Sequence, residues 1–216
     1  VVNEEKGKLN KERAEAIIQA CDELLAGKFP GNFPLAVWQT GSGTQSNMNA
    51  NEVIANRAIE ILGGEKGDYT IVHPNDHVNM SQSTNDVIPT AGKITAIKLL
   101  QGANFQLTRL IGALRKKEKE FDHILKMGRT QMQDAVPIRL GQEFGAYRAV
   151  VERDLGRMTH ITDELMYVNM GGTAIGTCIN ADESYVSAIV SNLSAVTGLD
   201  LRQAKNLIDS TQNLDC

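Results

Sequence analysis

Apolar residues recur at steps of three and four in several stretches of the chain, the spacing that predicts one buried face of an α-helix. The first such stretch covers residues 11–28, and a shorter one covers residues 51–62. Glycines and prolines interrupt regular structure between them, and residues 65–82 have no helical period, so we predict loops there. The beginning of the chain is therefore predicted to be a small helical and loop-rich region.

Two long helical patterns dominate the rest of the chain. The first covers residues 86–121, with Pro89 in its first turn, and the second covers residues 138–170, after a predicted break. A shorter helix is predicted at residues 182–196, because Asp182 is a suitable N-cap and a glycine follows the end. Long apolar stripes need neighbouring helices that run nearly parallel or antiparallel. The predicted fold is mainly α, a long-helix bundle preceded by the smaller region.

Composition and charge argue against several classes of binding partner. The chain has 216 residues, a formal net charge of −4 and 5% aromatic residues, which argues against nucleic acid or an anionic membrane as partner. No apolar run is long enough to span a bilayer, and no signal-peptide pattern is present. The 3 cysteines have no metal-like spacing, so we expect a reduced, cytoplasmic compartment. Because the chain begins without Met, we expect it to start inside a longer protein.

Three clusters rich in Ser, Thr, Asn and Gln stand out, at residues 41–47, 81–86 and 128–134. The second lies at the predicted start of the first long helix, where free N–H groups favour a bound carboxylate. Ser83, Thr84 or Asn85 would alternatively cap that helix, and the two roles are compatible. The glycines of the first cluster would let a backbone approach a ligand closely, or would simply form a flexible turn.

The third cluster contains Arg129, which would be either a carboxylate clamp or a structural ion-pair partner. The four histidines, His73, His77, His123 and His160, show no metal-ligand pairing. We therefore predict neither a metal nor a cofactor.

Several of these segments resemble the aspartase/fumarase superfamily, which includes aspartase, class II fumarase, argininosuccinate lyase and adenylosuccinate lyase. The resemblance runs almost the whole length of the chain. It rests on Gln45-Ser46-Asn47-Met48-Asn49-Ala50-Asn51-Glu52-Val53-Ile54-Ala55-Asn56-Arg57, His77-Val78-Asn79-Met80-Ser81-Gln82-Ser83-Thr84-Asn85-Asp86, Gly141-Gln142-Glu143-Phe144 and Thr173-Ala174-Ile175-Gly176-Thr177. It implies a partial N-terminal domain at residues 1–82 and the first part of a central helical-bundle domain at residues 83–216. It also implies anti elimination from a small dicarboxylate to give fumarate.

The resemblance further implies roles for single residues. Thr44, Ser83, Thr84 and Thr130 would surround the substrate β-carboxylate, and Asn85, with Thr44 and Gln131, would lie near the leaving group. The family loop that carries the catalytic serine base has no counterpart here and is expected beyond Cys216, so no catalytic residue is assigned to this chain. The resemblance implies a homotetramer in which each active site combines segments of three subunits.

The choice within the superfamily depends on competing segments. Residues 37–46 and 72–76 look like fumarase. Gln131 stands where fumarases normally have a histidine, and a glutamine cannot act as a general acid or base. Segments 133–137, 168–171, 180–182 and 209–213 also lean toward aspartase. The predicted reaction is elimination of ammonia from L-aspartate, with class II fumarase as the alternative.

Two readings concern the isolated chain rather than the parent enzyme. Without the serine loop it would be a non-catalytic oligomerisation fragment, or a module that binds carboxylates without chemistry. Cys178 departs from the superfamily, whose members usually have glycine there, and a positive φ at this position would strain a cysteine.

Overall fold

The computed structural model describes residues 1–36, 39 and 41–215. Its α-helices are α1 (Val2–Glu5), α2 (Lys11–Leu25), α3 (Thr44–Ile61), α4 (Thr84–Glu120), α5 (Leu140–Leu165), α6 (Glu183–Thr197) and α7 (Leu207–Gln212). The strands are β1 (Leu125–Thr130), β2 (Gln133–Arg139), β3 (Tyr167–Val168) and β4 (Arg202–Gln203). A 3₁₀ turn covers Pro30–Asn32, and a short π-helix covers Pro74–Val78. The mainly α prediction is confirmed.

The chain forms two compact units. The first comprises Val1–Lys93 and Met166–Asp215, and the second comprises Ile94–Leu165. The long helix α4 begins in the first unit and continues into the second. The predicted division at residues 82 and 83 concerns the domains of the full-length protein and stays a prediction.

The core of the first unit lies between α2 and α3. Small residues, Ala16 and Ala20 on α2 and Ala55 and Ala58 on α3, are buried together, which lets the two helices approach closely. Ile59 is fully buried in the same cluster. Helix α2 confirms the helix predicted at residues 11–28, although it ends at Leu25 rather than at residue 28.

An ion pair joins the same two helices at the edge of this core. The guanidinium of Arg57 donates from Nε to Oε2 of Glu23 at 2.6 Å and from a terminal nitrogen to Oε1 at 3.1 Å. This two-point geometry holds the pair more firmly than a single contact would. The Arg57 guanidinium lowers the pKa of Glu23.

Helix α4 begins at Thr84, two residues earlier than predicted, so Pro89 lies in its second turn and not in its first. Pro89 has no N–H, so the carbonyl of Asn85, four residues earlier, lacks its usual partner within the helix. Nδ2 of Asn169, a side chain only 2% exposed, donates to that carbonyl at 3.0 Å. A residue far along the chain thus satisfies the acceptor that the proline leaves open.

The second unit contains the rest of α4, the strands β1 and β2, and α5. The start of α5 lies so close to the end of α4 that a Cβ on Gly141 would come within 2.4 Å of the Glu118 carbonyl oxygen. Arg148 on α5 donates to Glu118 at 2.7 Å and to Glu152 at 2.6 Å. The rings of Phe121 and Phe144 lie 5.3 Å apart, centre to centre.

The segment after the first long helix was predicted to be a break between helices. It instead forms an antiparallel hairpin of β1 and β2. Thr130 pairs with Gln133, so Gln131 and Met132 form a two-residue turn. Both have positive φ, 49° and 66°, as a type I′ turn requires. The Asn-Gly signal that usually marks such a turn is absent, which is why the hairpin was not predicted.

Helix boundaries differ from prediction in two further places. Helix α3 begins at Thr44, so most of the first polar cluster is helical and not loop. The second long helix ends at Leu165, where residues 167–168 pair in parallel with residues 202–203. Asp182 precedes α6 as predicted, although its side chain makes no capping hydrogen bond. Gly198 follows the helix, as predicted, in the left-handed conformation of a C-terminal glycine. No helix in the described part of the chain is both long and apolar enough to cross a membrane.

We predict that Asn169→Ala lowers the free energy of unfolding by about 1–3 kcal/mol, because it removes the buried amide that donates to the Asn85 carbonyl. In a Pro89→Ala background the residue 89 amide regains a hydrogen for this carbonyl, so the same change should cost less. Chemical denaturation of the four variants measures both costs. Asn213→Ala, at an exposed asparagine, is the matched control. Equal costs of Asn169→Ala in both backgrounds would contradict this account.

Candidate functional site

The starts of α3 and α4 lie against each other in the first unit. Nδ2 of Asn47, in the first turns of α3, donates to the Thr84 hydroxyl oxygen at 3.0 Å. Gly43, which precedes α3, has a φ of 76°, and a Cβ there would meet Ile88 of α4 at 2.9 Å. Glycine is therefore required at position 43 for both conformation and close packing. Two helix N-termini thus share one region, and the positive ends of their dipoles favour a negatively charged ligand there.

A capping box closes the start of α4. The Ser83 hydroxyl oxygen accepts from the backbone N–H of Asn85 at 3.3 Å, and Oδ1 of Asp86 accepts from the backbone N–H of Ser83 at 2.9 Å. These two reciprocal bonds satisfy N–H groups that a helix start otherwise leaves open. The capping role considered for Ser83 is confirmed, and it fixes where the neighbouring Thr84 and Asn85 lie.

The same aspartate joins α4 to a distant loop. Oδ2 of Asp86 accepts from the backbone N–H of Gly171 at 3.2 Å and from that of Thr173 at 3.0 Å. Its side chain is fully buried. Burial raises the pKa of Asp86, while the backbone N–H groups that donate to the carboxylate act in the opposite direction. The carboxylate is thus a structural anchor that three backbone amides hold in place.

The loop that Asp86 holds contains an unusual number of left-handed residues. Thr173, Cys178 and Asn180 have φ values of 57°, 58° and 64°. The strain expected for a cysteine at position 178 is therefore present. Gly176, with a φ of 86°, lies so close to Ile208 that a Cβ would come within 2.4 Å of its Cα. Such strained backbone persists only where surrounding contacts hold it, and it is common at functional sites.

Asn85 contacts this loop directly. Its Nδ2 donates to the carbonyl oxygen of Ala174 at 2.6 Å. The bond fixes the orientation of the amide, because an amide oxygen facing that carbonyl would be repelled. Oδ1 of Asn85 is then the acceptor that the side chain offers to a ligand.

A cleft of about 350 Å³ opens beside the start of α4. Hydroxyl and amide side chains dominate its lining, namely Asn79, Ser81, Gln82, Ser83, Thr84, Thr173 and Asn180. The Thr173 hydroxyl is buried and has no hydrogen-bond partner among the described residues. The Asn79, Ser81 and Gln82 side chains use their donors within the protein, whereas the Ser83 and Thr84 hydroxyls donate to no group among the described residues. Neutral donors of this kind suit a carboxylate ligand.

The predicted site residues fall in both units. Ser83, Thr84 and Asn85 lie together, and Thr44, at the first position of α3, lies one turn from Asn47 and so near Thr84. Thr130 and Gln131 lie in the second unit, at the exposed end of the β1–β2 hairpin. Their roles toward a substrate stay predictions.

Sequence reasoning missed three residues that position this site, Asn47, Asp86 and Asn169. Asp86 had a detectable signal, because a serine followed three residues later by an acidic residue is the pattern of a capping box. Asn47 and Asn169 act across long sequence separations and carry no local signal. Arg129 pairs with Asp134 across the hairpin at 3.1 Å, which is the structural alternative considered for it.

His73 and His77 accept hydrogen bonds from backbone N–H groups of their own segment. Nδ1 of His73 accepts from the backbone N–H groups of Asn75 and Asp76, each at 3.2 Å. Nδ1 of His77 accepts from the N–H of His73 at 2.8 Å. Within residues 1–36, 39 and 41–215, no group of three or more His, Cys, Asp or Glu side chains could hold a metal ion.

Comparison with known proteins defines the class. The sequence pattern of a family described as lyase matches residues 2–216. The chain therefore belongs to this lyase family.

Its relatives place it more narrowly. The chain is 52% identical to an aspartate ammonia-lyase of Bacillus subtilis over 201 residues, covering 93% of this chain and 42% of the relative. It is 46% identical to a class II fumarate hydratase of Ralstonia nicotianae over 215 residues, covering 99% of this chain and 47% of the relative. The resemblance to the aspartase/fumarase superfamily is confirmed.

A solved structure agrees with the fold. The Brucella melitensis protein described as "fumarate lyase:delta crystallin", bound to cobalt, superposes with a TM-score of 0.92 at 46% identity, covering 97% of this chain and 46% of that chain. The chain spans less than half the length of these relatives.

We predict that Asp86→Asn destabilises the protein by about 1–3 kcal/mol, because an amide offers one acceptor oxygen and turns its NH₂ group toward a backbone donor. Hydrogen exchange of the Gly171 and Thr173 amides should accelerate in the same variant. Asp163→Asn, at an exposed position on α5, serves as control for the loss of a charge. A neutral or stabilising effect of Asp86→Asn would mean that the cost of burying the charge outweighs the three bonds.

We predict that acidification weakens the fold through His77, whose pKa burial lowers below the ordinary value of 6.5. The unfolded chain then binds a proton more readily than the folded one, so this contribution to stability is complete above about pH 6.5 and is lost as the pH falls toward the folded-state pKa. Denaturation across a pH series measures it, and His77→Gln, which retains an acceptor for the His73 N–H, should remove that component. An NMR titration placing the His77 pKa above 6.5 would contradict the prediction.

Proposed function

We propose that the full-length protein eliminates ammonia reversibly from L-aspartate to give fumarate, and that this chain supplies residues that bind the substrate. Ser83, Thr84, Thr44 and Thr130 would hold the β-carboxylate, while Asn85 and Gln131 would face the leaving group. The proposal assigns no catalytic base to these residues. Membership of the lyase family and the hydroxyl-rich cleft at the start of α4 support it.

The orientation of Asn85 carries the proposal. Because Nδ2 is bonded to the Ala174 carbonyl at 2.6 Å, Oδ1 is the atom available to a ligand. An amide oxygen accepts hydrogen bonds only, and a departing ammonium group has hydrogens to donate and a positive charge. The side chain therefore suits an amine at the leaving position.

The other end of the substrate requires donors. In the elimination, negative charge increases on the β-carboxylate when the neighbouring proton is removed, so groups that bind it most strongly at that stage accelerate the reaction. Ser83 and Thr84 line the cleft and stand at a helix N-terminus, where the dipole adds positive potential. Neutral hydroxyls in this position avoid the desolvation cost of a buried lysine or arginine.

Gln131 supports the choice of ammonia over water. It holds a left-handed turn position that is unusual for a residue other than glycine, asparagine or aspartate. Its amide neither gives nor takes a proton at neutral pH, so it does not suit the activation of a water molecule. We therefore place it in a binding role beside the leaving amine.

Class II fumarase is the second candidate, with L-malate as substrate. The segment at residues 72–76 resembles fumarases, and curated relatives include fumarate hydratases at 46% and 48% identity. The other fumarase-like segment, residues 37–46, includes Val37, Trp38 and Thr40, which lie outside the described residues. The two candidate reactions share fumarate as product and differ only in what leaves.

A homotetramer is proposed for the full-length protein. Helices α4 and α5 of the second unit expose large apolar side chains, including Leu99 at 71%, Phe105 at 62% and Tyr147 at 55%. Such surface favours association with further helices over exposure to water. For the isolated chain, the same surface supports the alternative of a non-catalytic oligomerisation fragment.

We predict that the full-length protein releases fumarate from L-aspartate and not from L-malate, as followed by the ultraviolet absorbance of fumarate. Asn85→Asp, which keeps the acceptor but adds a charge, and Asn85→Leu, which removes it, should both lower turnover, with the leucine variant losing at least about tenfold. Asn213→Leu is the control at an exposed asparagine. Turnover of malate alone would establish the fumarase alternative and remove the argument from Gln131.

A further inference from the structure

A chain of hydrogen bonds leads from a backbone carbonyl to the hydroxyl of Thr84. Nδ2 of Asn79 donates to the carbonyl oxygen of Gln82 at 3.4 Å. Nδ2 of Asn47 donates to Oδ1 of Asn79 at 3.5 Å and to Oγ1 of Thr84 at 3.0 Å. Both amide hydrogens of Asn47 are therefore directed at acceptors.

The donor and acceptor roles in this series of hydrogen bonds follow from the Gln82 carbonyl. A backbone carbonyl only accepts, so Asn79 turns its NH₂ group toward Gln82 and its oxygen toward Asn47. That oxygen in turn requires the NH₂ group of Asn47. Asn47 is 6% exposed, and its Nδ2 donates to both Asn79 and Thr84, so its amide has little freedom to turn over.

These hydrogen bonds determine where the Thr84 hydroxyl can donate its hydrogen. Its oxygen receives a hydrogen from Asn47, so its own hydrogen has to point elsewhere. Among the described residues, the structure gives that hydrogen no acceptor, and Thr84 lines the cleft at the start of α4. The hydroxyl is thus set to donate into the cleft.

We propose that Asn47, supported by Asn79, is a positioning residue that orients the Thr84 hydroxyl as a hydrogen-bond donor to a carboxylate in the cleft. The inference rests on the proposed function for the identity of the ligand. A freely rotating hydroxyl has to choose its direction when a ligand arrives, whereas an oriented one is already aligned, which favours binding and charge stabilisation. Asn47 itself makes no contact with the substrate in this scheme.

The test is a double-mutant cycle in the full-length protein, with fumarate as the probe and binding followed by calorimetry. Asn47→Leu should weaken fumarate binding by about tenfold in the native background, because the Thr84 hydroxyl loses its fixed direction. Thr84→Val removes the hydroxyl, so in that background Asn47→Leu should change binding by less than about twofold. An equal loss in both backgrounds would overturn the proposal, since it would show that Asn47 acts only through packing.

Three further measurements separate the possible results. Asn56→Leu, the same substitution at a less buried site on α3, should leave fumarate binding unchanged. Thr84→Ser, which keeps a hydroxyl, should restore the sensitivity to Asn47→Leu that Thr84→Val abolishes. Thermal unfolding of each variant shows whether any loss of binding reflects loss of fold.

A binding measurement distinguishes failure of the proposed function from failure of the orienting role of Asn47. A native protein that binds neither fumarate nor succinate would reject that function and leave the orientation of Thr84 to be measured directly. Neutron diffraction locates the hydroxyl hydrogen. A hydrogen directed away from Asn47 and into the cleft supports the orienting role, and one directed at Asn47 overturns it.

Discussion

The buried carboxylate of Asp86 is the interaction on which the rest of the candidate site depends. One oxygen closes the capping box at the start of α4, and the other holds the backbone N–H groups of Gly171 and Thr173. Two segments far apart in sequence are thereby fixed to one another at the point where Ser83, Thr84 and Asn85, the residues proposed to bind the substrate, lie. Burial of the charge is unfavourable, as the raised pKa indicates, so the three donors are needed to keep the carboxylate in place.

The anchor lets the site use geometry that an isolated loop would not maintain. Thr173 and Cys178 adopt left-handed backbone, and Gly176 lies against the backbone of Ile208 with no room for a side chain. Ala174 presents its carbonyl to Asn85 from this strained loop. The residues of the candidate site are therefore held by contacts on several sides, which is the condition under which strain persists in a folded protein.

Asparagine side chains also form hydrogen bonds to groups at the start of helix α4. Asn169 satisfies the carbonyl that Pro89 leaves open, and Asn47 occupies the hydroxyl oxygen of Thr84. Each asparagine uses its amide to settle a hydrogen-bonding requirement that the helix itself cannot meet. The abundance of asparagine, serine and threonine in these motifs thus has a structural cause beside the proposed one of binding a carboxylate.

The amino-acid sequence by itself determined the mainly α fold, the approximate course of the long helices, a cap within residues 83–85 and membership of the superfamily. These follow from local periodicity, capping chemistry and extended motifs, which need no knowledge of distant contacts. Only the tertiary structure decided that residues 125–139 form a hairpin, because its turn at Gln131 and Met132 lacks the glycine that would announce it. It alone also paired Asn47 with Thr84, since a hydrogen bond between residues 37 positions apart leaves no periodic trace in the sequence.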